Sequence, residues 1–542
     1  MRAMSNAFSL LSLAPIPLQE EGIPIADDPI IIGFGAAYLL IVIAIGAWGW
    51  MQTESTSDFL ITGKSIGTWV LALTAFSVIQ SGFGFVGGPE LVYSFGTTAL
   101  WIFFTAPLGF LLTWIVLAKR MRILADIRNV LTLPDAMYVR YESEWVRGLG
   151  GVAVALGVIA YLAVNLAALQ FVMRAIFGIP LIWGLLGGAL ILLLYSMLGG
   201  MIAGVWTDFL QAITMIIGAG FVFAYAMSFG GGMGTISQNL ASADPNLISP
   251  FGALGAPAVA VLVGISWWIL FSVGAAGQPH LITKFYMSRD MKILKWGAPI
   301  AAISYAISSL IAFSAGLSMR AMVEAGEISE TFSASEVGPV FVLDHTGSVI
   351  AGLILAALLA AIMSTSDSFL NIGAAAISRD IPRALGRPIT DDKTELRVTQ
   401  AALAMLTVLS TIVVFYSQAL VGILGAISWG FFAAAFVPVV VLGLNWKGAS
   451  KWGAIAALVV GMLFNIVYNV IPEAADIIGG GFVVWLNENV VMATYPFPPE
   501  VPAEAISLLV AMIVFIFVSL LAQVFTNPER ELPSDLHALF ER

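Results

Sequence analysis

Apolar residues in this chain run in blocks of about twenty, and the polar residues gather in the gaps between them. A helix needs about 20 apolar residues to cross about 30 Å of hydrocarbon, so each block reads as a membrane span. The blocks lie near 32–51, 67–93, 97–118, 148–172, 180–198, 202–228, 257–278, 298–319, 348–377, 399–417, 420–443, 452–471 and 504–525, about thirteen in all. The pattern predicts an all-α polytopic membrane protein.

Composition agrees. Of 542 residues, 59% are hydrophobic and 10% charged, with a mean hydropathy of +0.96. Soluble domains carry about 25% charged residues. The 53 glycines suit helices that pack closely in lipid.

Charge sets the expected topology, because cytoplasmic loops carry the excess Lys and Arg. With thirteen spans, one set of alternate loops holds twenty of the 23 cations. It includes Lys64, Arg140, Lys284, Arg379 and Lys447; the other set holds only Arg2, Arg174 and Arg320. This places the N-terminus outside and the C-terminus in the cytoplasm, with the cell (inner) membrane as the expected location.

Two spans are interrupted. The second carries "SGFGFVGGPE" (81–90) and the seventh ends in "GAAGQPH" (274–280). Gly/Pro-broken spans at matching positions point to a transporter site, since unwound backbone can bind ions and solute. They lie five spans apart, and an odd number of spans per repeat inverts the second copy. The expected organisation is a tail (1–31), a peripheral helix (32–51), a five-helix repeat (67–228) and its inverted partner (257–443). Two peripheral helices (452–525) and a short cytoplasmic tail (526–542) complete it.

Gly82-x-Gly84-x-x-Gly87 has the spacing of a dinucleotide fingerprint, but it sits inside an apolar run with no strand before it. Gly63-Lys64-Ser65 lacks the phosphate-loop glycine, because that position is Asp58. Neither a nucleotide nor a nucleic acid is expected as a partner. There is no cysteine, and His280, His345 and His537 have no partners at ligand spacing. With no HExxH, GxSxG or Cys nucleophile the chain does not read as an enzyme, and no organic cofactor is expected.

The ninth span contains "LLAAIMSTSDSFLN", where Ala361, Ser364, Thr365, Ser368 and Asn371 share one helical face and Asp367 lies at its edge. A single buried Ser or Thr usually bonds back to the i−4 carbonyl. A stripe of them beside an intramembrane carboxylate instead faces protein or a wet cavity, and oxygen ligands suit a hard cation. Asp208, near the start of the sixth span, reads equally as an ion site or an interfacial N-cap. Glu90 reads as an exposed charge at the outer end rather than a gate. Trp267 and Trp268 read as packing or interfacial residues, and Tyr161 with Asn165 as an interhelical hydrogen-bonding pair.

The stretches "SDFLITGKSIGTWVLALTAFS", "FVGGPELVY", "LTLPDA", "GGMIAGVWTDFLQ", "GQPHLITKF" and "LLAAIMSTSDSFL" run in order from about residue 57 to 380. Together they resemble the sodium:solute symporter family, with the sodium/proline and sodium/pantothenate branch closest in appearance. The resemblance implies a LeuT-like five-plus-five inverted repeat, Na⁺ as coupling ion, and uptake of a small organic solute by alternating access. That solute is proline or another amino acid, pantothenate or a carboxylate. It also implies a Na⁺ site from the Ser364 and Thr365 hydroxyls and the carbonyls of Ala361, Ser77 and Gln80. Solute would sit near Ser81, Gly82, Tyr161, Phe271, Gln278 and Pro279, while Asp208 and Asp367 would serve ion coupling or a second ion. Two positions depart from the proline pattern: Ile79 stands where an Asp is usual, and Ala275 and Ala276 stand where an aromatic precedes "GQPH". The alternatives are a uniporter, a proton-coupled carrier, or a channel or sensor without Na⁺ coupling.

Overall fold

The computed structural model describes residues 25–52, 66–128, 130–252, 257–417, 420–478, 481–498, 500–526, 532 and 534–541. The N-terminal tail up to residue 24 and the whole "SDFLITGKS" stretch, Lys64 included, lie outside the described residues. The described chain is helical apart from connecting turns and one isolated bridge. Its principal helices are α1 (Pro29–Gln52), α2 (Thr68–Ile79), α3 (Gly88–Phe95), α4 (Glu144–Phe177) and α5 (Leu181–Phe229). There follow α6 (Pro257–Ser272), α7 (Pro279–Ile282), α8 (Met291–Glu324), α9 (Ser348–Ala375) and α10 (Asp392–Tyr416). The last three are α11 (Val421–Phe436), α12 (Lys451–Asn465) and α13 (Ala503–Phe525).

Ten described helices are long and apolar enough to cross a bilayer, and Thr68–Ile79, Leu181–Met197 and Ala258–Ser272 are shorter apolar ones. Helix length alone therefore does not return thirteen spans. The shortfall has a physical reason: two of the expected spans are broken in mid-membrane and a third belongs to a bent helix. That helix, α5, is continuous in hydrogen bonding over 49 residues, which if straight would extend about 74 Å. Tyr195 Oη and Thr207 Oγ1 nonetheless lie 2.5 Å apart, where a straight helix would separate them by about 18 Å. The chain must bend sharply between them.

The first interruption falls beside its glycines, and the second takes in Gly274 and Gly277. In the first, α2 ends at Ile79, and Gln80 is extended at φ −76°, ψ 92°. Gly82 is already helical again, and Phe83–Gly87 form a π-turn leading into α3. These glycines serve close approach: a Cβ on Gly82 would meet Ala168 Cβ at 2.6 Å, and one on Gly87 would meet Gly422 Cα at 2.8 Å. In the second, a 3₁₀ turn at Gly274–Gly277 leads to Gln278, extended at φ −82°, ψ 109°, and Pro279 opens α7. Each break thus turns on a glutamine. The strand-like residue Ile66, just before α2, pairs in parallel with Ser288, just after the second break. The start of one broken helix meeting the end of the other is what inverted placement requires.

The core packs α4 and α5 against α9, with α11 closing on α4 and α8 lying along α2 and α3. Large aliphatics left exposed, such as Leu40, Ile115, Leu190 and Ile303, face outward as lipid-facing residues would. At the C-terminus a short segment docks back. Leu536 and Leu539 are buried, and Arg128 grips Asp535 with two hydrogen bonds of 2.6 and 3.0 Å.

Arg128 holds the Asp535 carboxyl below the usual carboxylate range through its hydrogen bonds. The pair's contribution is therefore complete above about pH 4 and lost as pH falls through the lowered value. Both partners are solvent-exposed, so Asp535→Asn or 1 M salt should speed amide exchange across residues 534–541 by up to about fivefold. Exchange unchanged in both would show that the leucines alone hold the tail.

Candidate functional site

Burial and backbone geometry single out the first break. Because α2 stops at Ile79, the carbonyls of the helix end are not consumed by the next turn. The Ser77 and Gln80 carbonyls face α9, whose stripe of small polar residues is wholly buried. Ser364 Oγ lies 3.1 Å from the Ser77 carbonyl and 3.1 Å from the Ala361 carbonyl. Thr365 Oγ1 lies 3.4 Å from the Gln80 carbonyl and 3.2 Å from that of Ala361. All five residues named from the sequence therefore meet at one point.

The distances say what kind of meeting it is. A hydroxyl-to-carbonyl bond closes at about 2.7–2.8 Å. The neighbouring Ser366 makes such a bond to the Ile362 carbonyl at 2.6 Å, the ordinary i−4 arrangement. Ser364 and Thr365 instead each divide their hydroxyl between a carbonyl of α9 and one at the released end of α2. Oxygens held about 2.3–2.6 Å from a shared hard cation, at ligand angles near 80–90°, lie about 3.0–3.7 Å from each other. The four contacts of Ser364 and Thr365, at 3.1–3.4 Å, are compatible with that spacing, and it is the convergence of α9 hydroxyls on the released carbonyls of α2 that marks the site.

Beside this cage, Tyr161 Oη lies 3.4 Å from Ser81 Oγ, and the Gly82 amide donates to Asn165 Oδ1 at 2.9 Å. Both contacts bind the unwound segment to α4, as interhelical pairing predicts. Gln278 Nε2 donates to the carbonyls of Gly274 and Trp429, each at 3.1 Å, and so satisfies backbone freed by the second break. Phe271 stacks on Phe83 at 5.5 Å and lies 5.4 Å from Trp429. Several buried polar atoms here have no hydrogen-bond partner among the described residues: Gln80 Oε1, Gln278 Oε1, Asn165 Nδ2 and both ring nitrogens of His280. An interior with that many unspent polar atoms is suited to receiving a polar solute.

Four sequence-based readings change. Asp208 does not cap a helix: it is buried within α5, and its Oδ2 lies 3.0 Å from Lys284 Nζ. Lys284, counted among the loop cations, is itself 1% exposed and lies just past the second break. Glu90 is not an exposed outer charge but is fully buried. The glycines of the first break pack it rather than make it. Asp367 is buried against Gly204, where an added Cβ would meet its Oδ2 at 2.7 Å. Trp267 is nearly buried, while Trp268 keeps 44% of its surface, in keeping with packing and interfacial roles.

Sequence reading missed a polar network on the side of the basic loops. Asp135, in the short helix Leu133–Tyr141, lies within 3.6–4.0 Å of Arg147, Arg379 and Arg383. Thr132 Oγ1 donates to Asp380 Oδ1 at 2.8 Å. The "LTLPDA" stretch was the only signal for this network. Beneath it lies a cavity lined by Thr132, Pro134, Pro279, Thr283, Asn371 and Ala375.

With this geometry in hand, comparison with known proteins is direct. Residues 59–461 match the sodium:solute symporter family, and the chain belongs to it. It is 29% identical over 439 residues to sodium/proline symporter 2 of Staphylococcus saprophyticus, covering 80% of this chain and 84% of that one. The sodium/proline symporter of Staphylococcus aureus is 29% identical over 441 residues, with the same coverage. A substrate-bound, outward-open Na⁺-coupled sialic acid symporter superposes with a TM-score of 0.70 at 18% identity, over 91% of this chain and 98% of that one. The chain is thus a multi-pass membrane transporter with the LeuT-type inverted-repeat fold.

Removing one partner of the buried Asp208–Lys284 pair strands a charge, at a cost of about 3–5 kcal/mol, whereas removing both need not destabilise. Lys284→Met should therefore lose most folded protein in detergent thermal melts, and Asp208→Asn/Lys284→Met should regain it. A double variant no more stable than the single one would show that the pair is not the cause.

Proposed function

We propose that the chain couples inward Na⁺ movement to uptake of a small organic solute by alternating access. The observation that carries this reading is the meeting of the Ser364 and Thr365 hydroxyls with the carbonyls of Ala361, Ser77 and Gln80, in four contacts of 3.1–3.4 Å between α9 and the first break. Ser364 and Thr365 give side-chain oxygens, and Ser77, Gln80 and Ala361 give backbone oxygens. Three of these ligands, from α9, are fixed to one helix, while the other two hang on a chain segment that leaves helical geometry. Na⁺ binding would draw that segment against α9 and so favour one arrangement of the broken helix over the other. A ligand shifts such an equilibrium only by its differential affinity for the two states, and a cage assembled from two moving parts supplies it.

Solute binds beside the cage, between Ser81, Gly82 and Tyr161 on one side and Phe271, Gln278 and Pro279 on the other. The unspent polar atoms of Gln80, Gln278, Asn165 and His280 recognise its polar groups, and the Phe83–Phe271 stack covers its apolar part. An amino acid of proline size, pantothenate or a carboxylate fits this chemistry, and the staphylococcal relatives favour proline among them. Asp208 and Asp367 tune ion coupling behind the cage. The core repeats span 67–228 and 257–443, with the N-terminus outside, the C-terminus in the cytoplasm and the cell inner membrane as the site of action. One Na⁺ crossing about 100 mV yields about 2.3 kcal/mol. A tenfold gradient adds about 1.4 kcal/mol, enough in sum for several-hundred-fold accumulation.

Proteoliposomes loaded without Na⁺ and offered labelled proline, pantothenate or short carboxylates under an inward Na⁺ gradient should accumulate one of them. Ser364→Ala/Thr365→Ala should weaken the apparent Na⁺ affinity at least about tenfold, the loss that even outer-shell changes cause at ion sites. Accumulation that is indifferent to Na⁺ and to the double variant would overturn the coupling.

A further inference from the structure

One buried ionisable group has no part in the cage or the solute site. Glu90 lies in the first turn of α3 with no solvent exposure. Its Oε1 accepts a hydrogen bond from Ser335 Oγ at 2.6 Å, and its Oε2 accepts one from the Gly422 amide at 3.0 Å. Ser335 belongs to the short turn Ala334–Glu336 before the helix Val337–His345, and Gly422 to the first turn of α11. One carboxylate therefore ties together three stretches that are remote in sequence. Among the described residues no Lys or Arg forms an ion pair with it, and the positive end of α11 supplies the compensating field.

The backbones meet at the same place. A Cβ on Gly87 would come within 2.8 Å of Gly422 Cα, one on Gly422 within 2.5 Å of Leu91 Cγ, and one on Gly88 within 2.6 Å of Ala312 Cβ. α3 and α11 are in backbone contact where glycine faces glycine. Along α9, beyond the cage in the opposite direction, lies the cavity lined by Thr283, Asn371 and Ala375. Three remote stretches are thus in contact at Glu90, and a small cavity lies at the far side of the cage.

We propose that Glu90 is the latch of the outer gate, holding α3, the Ala334–Glu336 turn and α11 together in the closed state. This rests on the alternating-access reading above. A dry carboxylate is tolerated only while both donors hold it, because a buried charge without partners is too costly. Once α3 and α11 part, water must take over from Ser335 and Gly422, and a half-open gate has neither. The latch thereby makes opening two-state rather than gradual, as bistable packing does elsewhere in proteins. Glu90 acts as a positioning residue and touches neither ion nor solute.

The chain has no cysteine, so single reporters can be added cleanly. Ala426 sits on α11 one turn inward from Gly422 and on the same face, and Ala375 lines the opposite cavity. Ala426→Cys and Ala375→Cys would each be reacted with a membrane-impermeant thiol reagent, from both faces of proteoliposomes. In Glu90→Ala, labelling at 426 should rise about tenfold while labelling at 375 falls. Glu90→Gln keeps the shape and can still accept from the Gly422 amide while its own amide nitrogen donates to Ser335 Oγ, but it loses the charge, and should lie between Glu90→Ala and wild type. Ser335→Ala, which removes one donor, should move both reporters the same way and carries the test if Glu90→Ala folds poorly. A merely structural role would lower stability without trading label between the two reporters. Unchanged labelling at both positions in folded Glu90→Gln and Ser335→Ala protein would overturn the latch. The labelling needs neither Na⁺ nor solute, so a failure of coupled uptake leaves this outcome readable by itself.

Discussion

A helix that stops inside a bilayer leaves amides and carbonyls with no water to bind, and the architecture of this protein is organised around two such stops. At Gln80 and Gln278 the backbone turns extended for a single residue. Hydrocarbon admits no such backbone unless protein or a wet cavity satisfies it. Around the first stop, Asn165 binds the Gly82 amide, and Ser364 and Thr365 face the released carbonyls. Around the second, the Gln278 side chain itself reaches the Gly274 and Trp429 carbonyls. The elements that supply these groups, α4, α9 and α11, form the packed centre because each must reach a break.

The same demand governs where charge is allowed. Asp208 and Lys284 neutralise each other in the interior, and Lys284 lies just beyond the second stop, so the pair ties α5 to the broken helix. Glu90 relies instead on neutral donors and a helix terminus. Asp135 gathers three arginines at the other end. The Glu90 and Asp135 regions are therefore held by different chemistry: a lone carboxylate held by neutral donors at one, and a multi-arginine network at the other.

Close approach is the second requirement, and glycine meets it. Gly82 lets the unwound segment lie against Ala168, and Gly87 lets α3 touch Gly422 backbone to backbone. Their Gly-x-Gly-x-x-Gly spacing imitates a nucleotide fingerprint only because both situations need backbone without side chains. In one the backbone meets a pyrophosphate, and in the other it meets another helix.

The sequence by itself determined the membrane class, the two interrupted spans, the pairing that implies inverted repeats and the polar stripe of α9. Each of these is written in local composition or in helical periodicity, which survive without any knowledge of neighbours. The five cage residues were also legible, through a resemblance carried by several ordered stretches. What only the tertiary structure decided is which groups meet across the chain. Asp208 read equally as an ion site or a cap because its partner lies 76 residues away, and Lys284 looked like a loop cation for the same reason. Glu90 looked exposed because it follows a proline near the outer end of a span, yet its two partners come from elements 245 and 332 residues later. The sharp bend of α5 is likewise invisible to hydrogen-bond periodicity and is shown by a contact between Tyr195 and Thr207. An isolated sequence gives the period and polarity of each helix, but the burial of a charge depends on the helices packed around it.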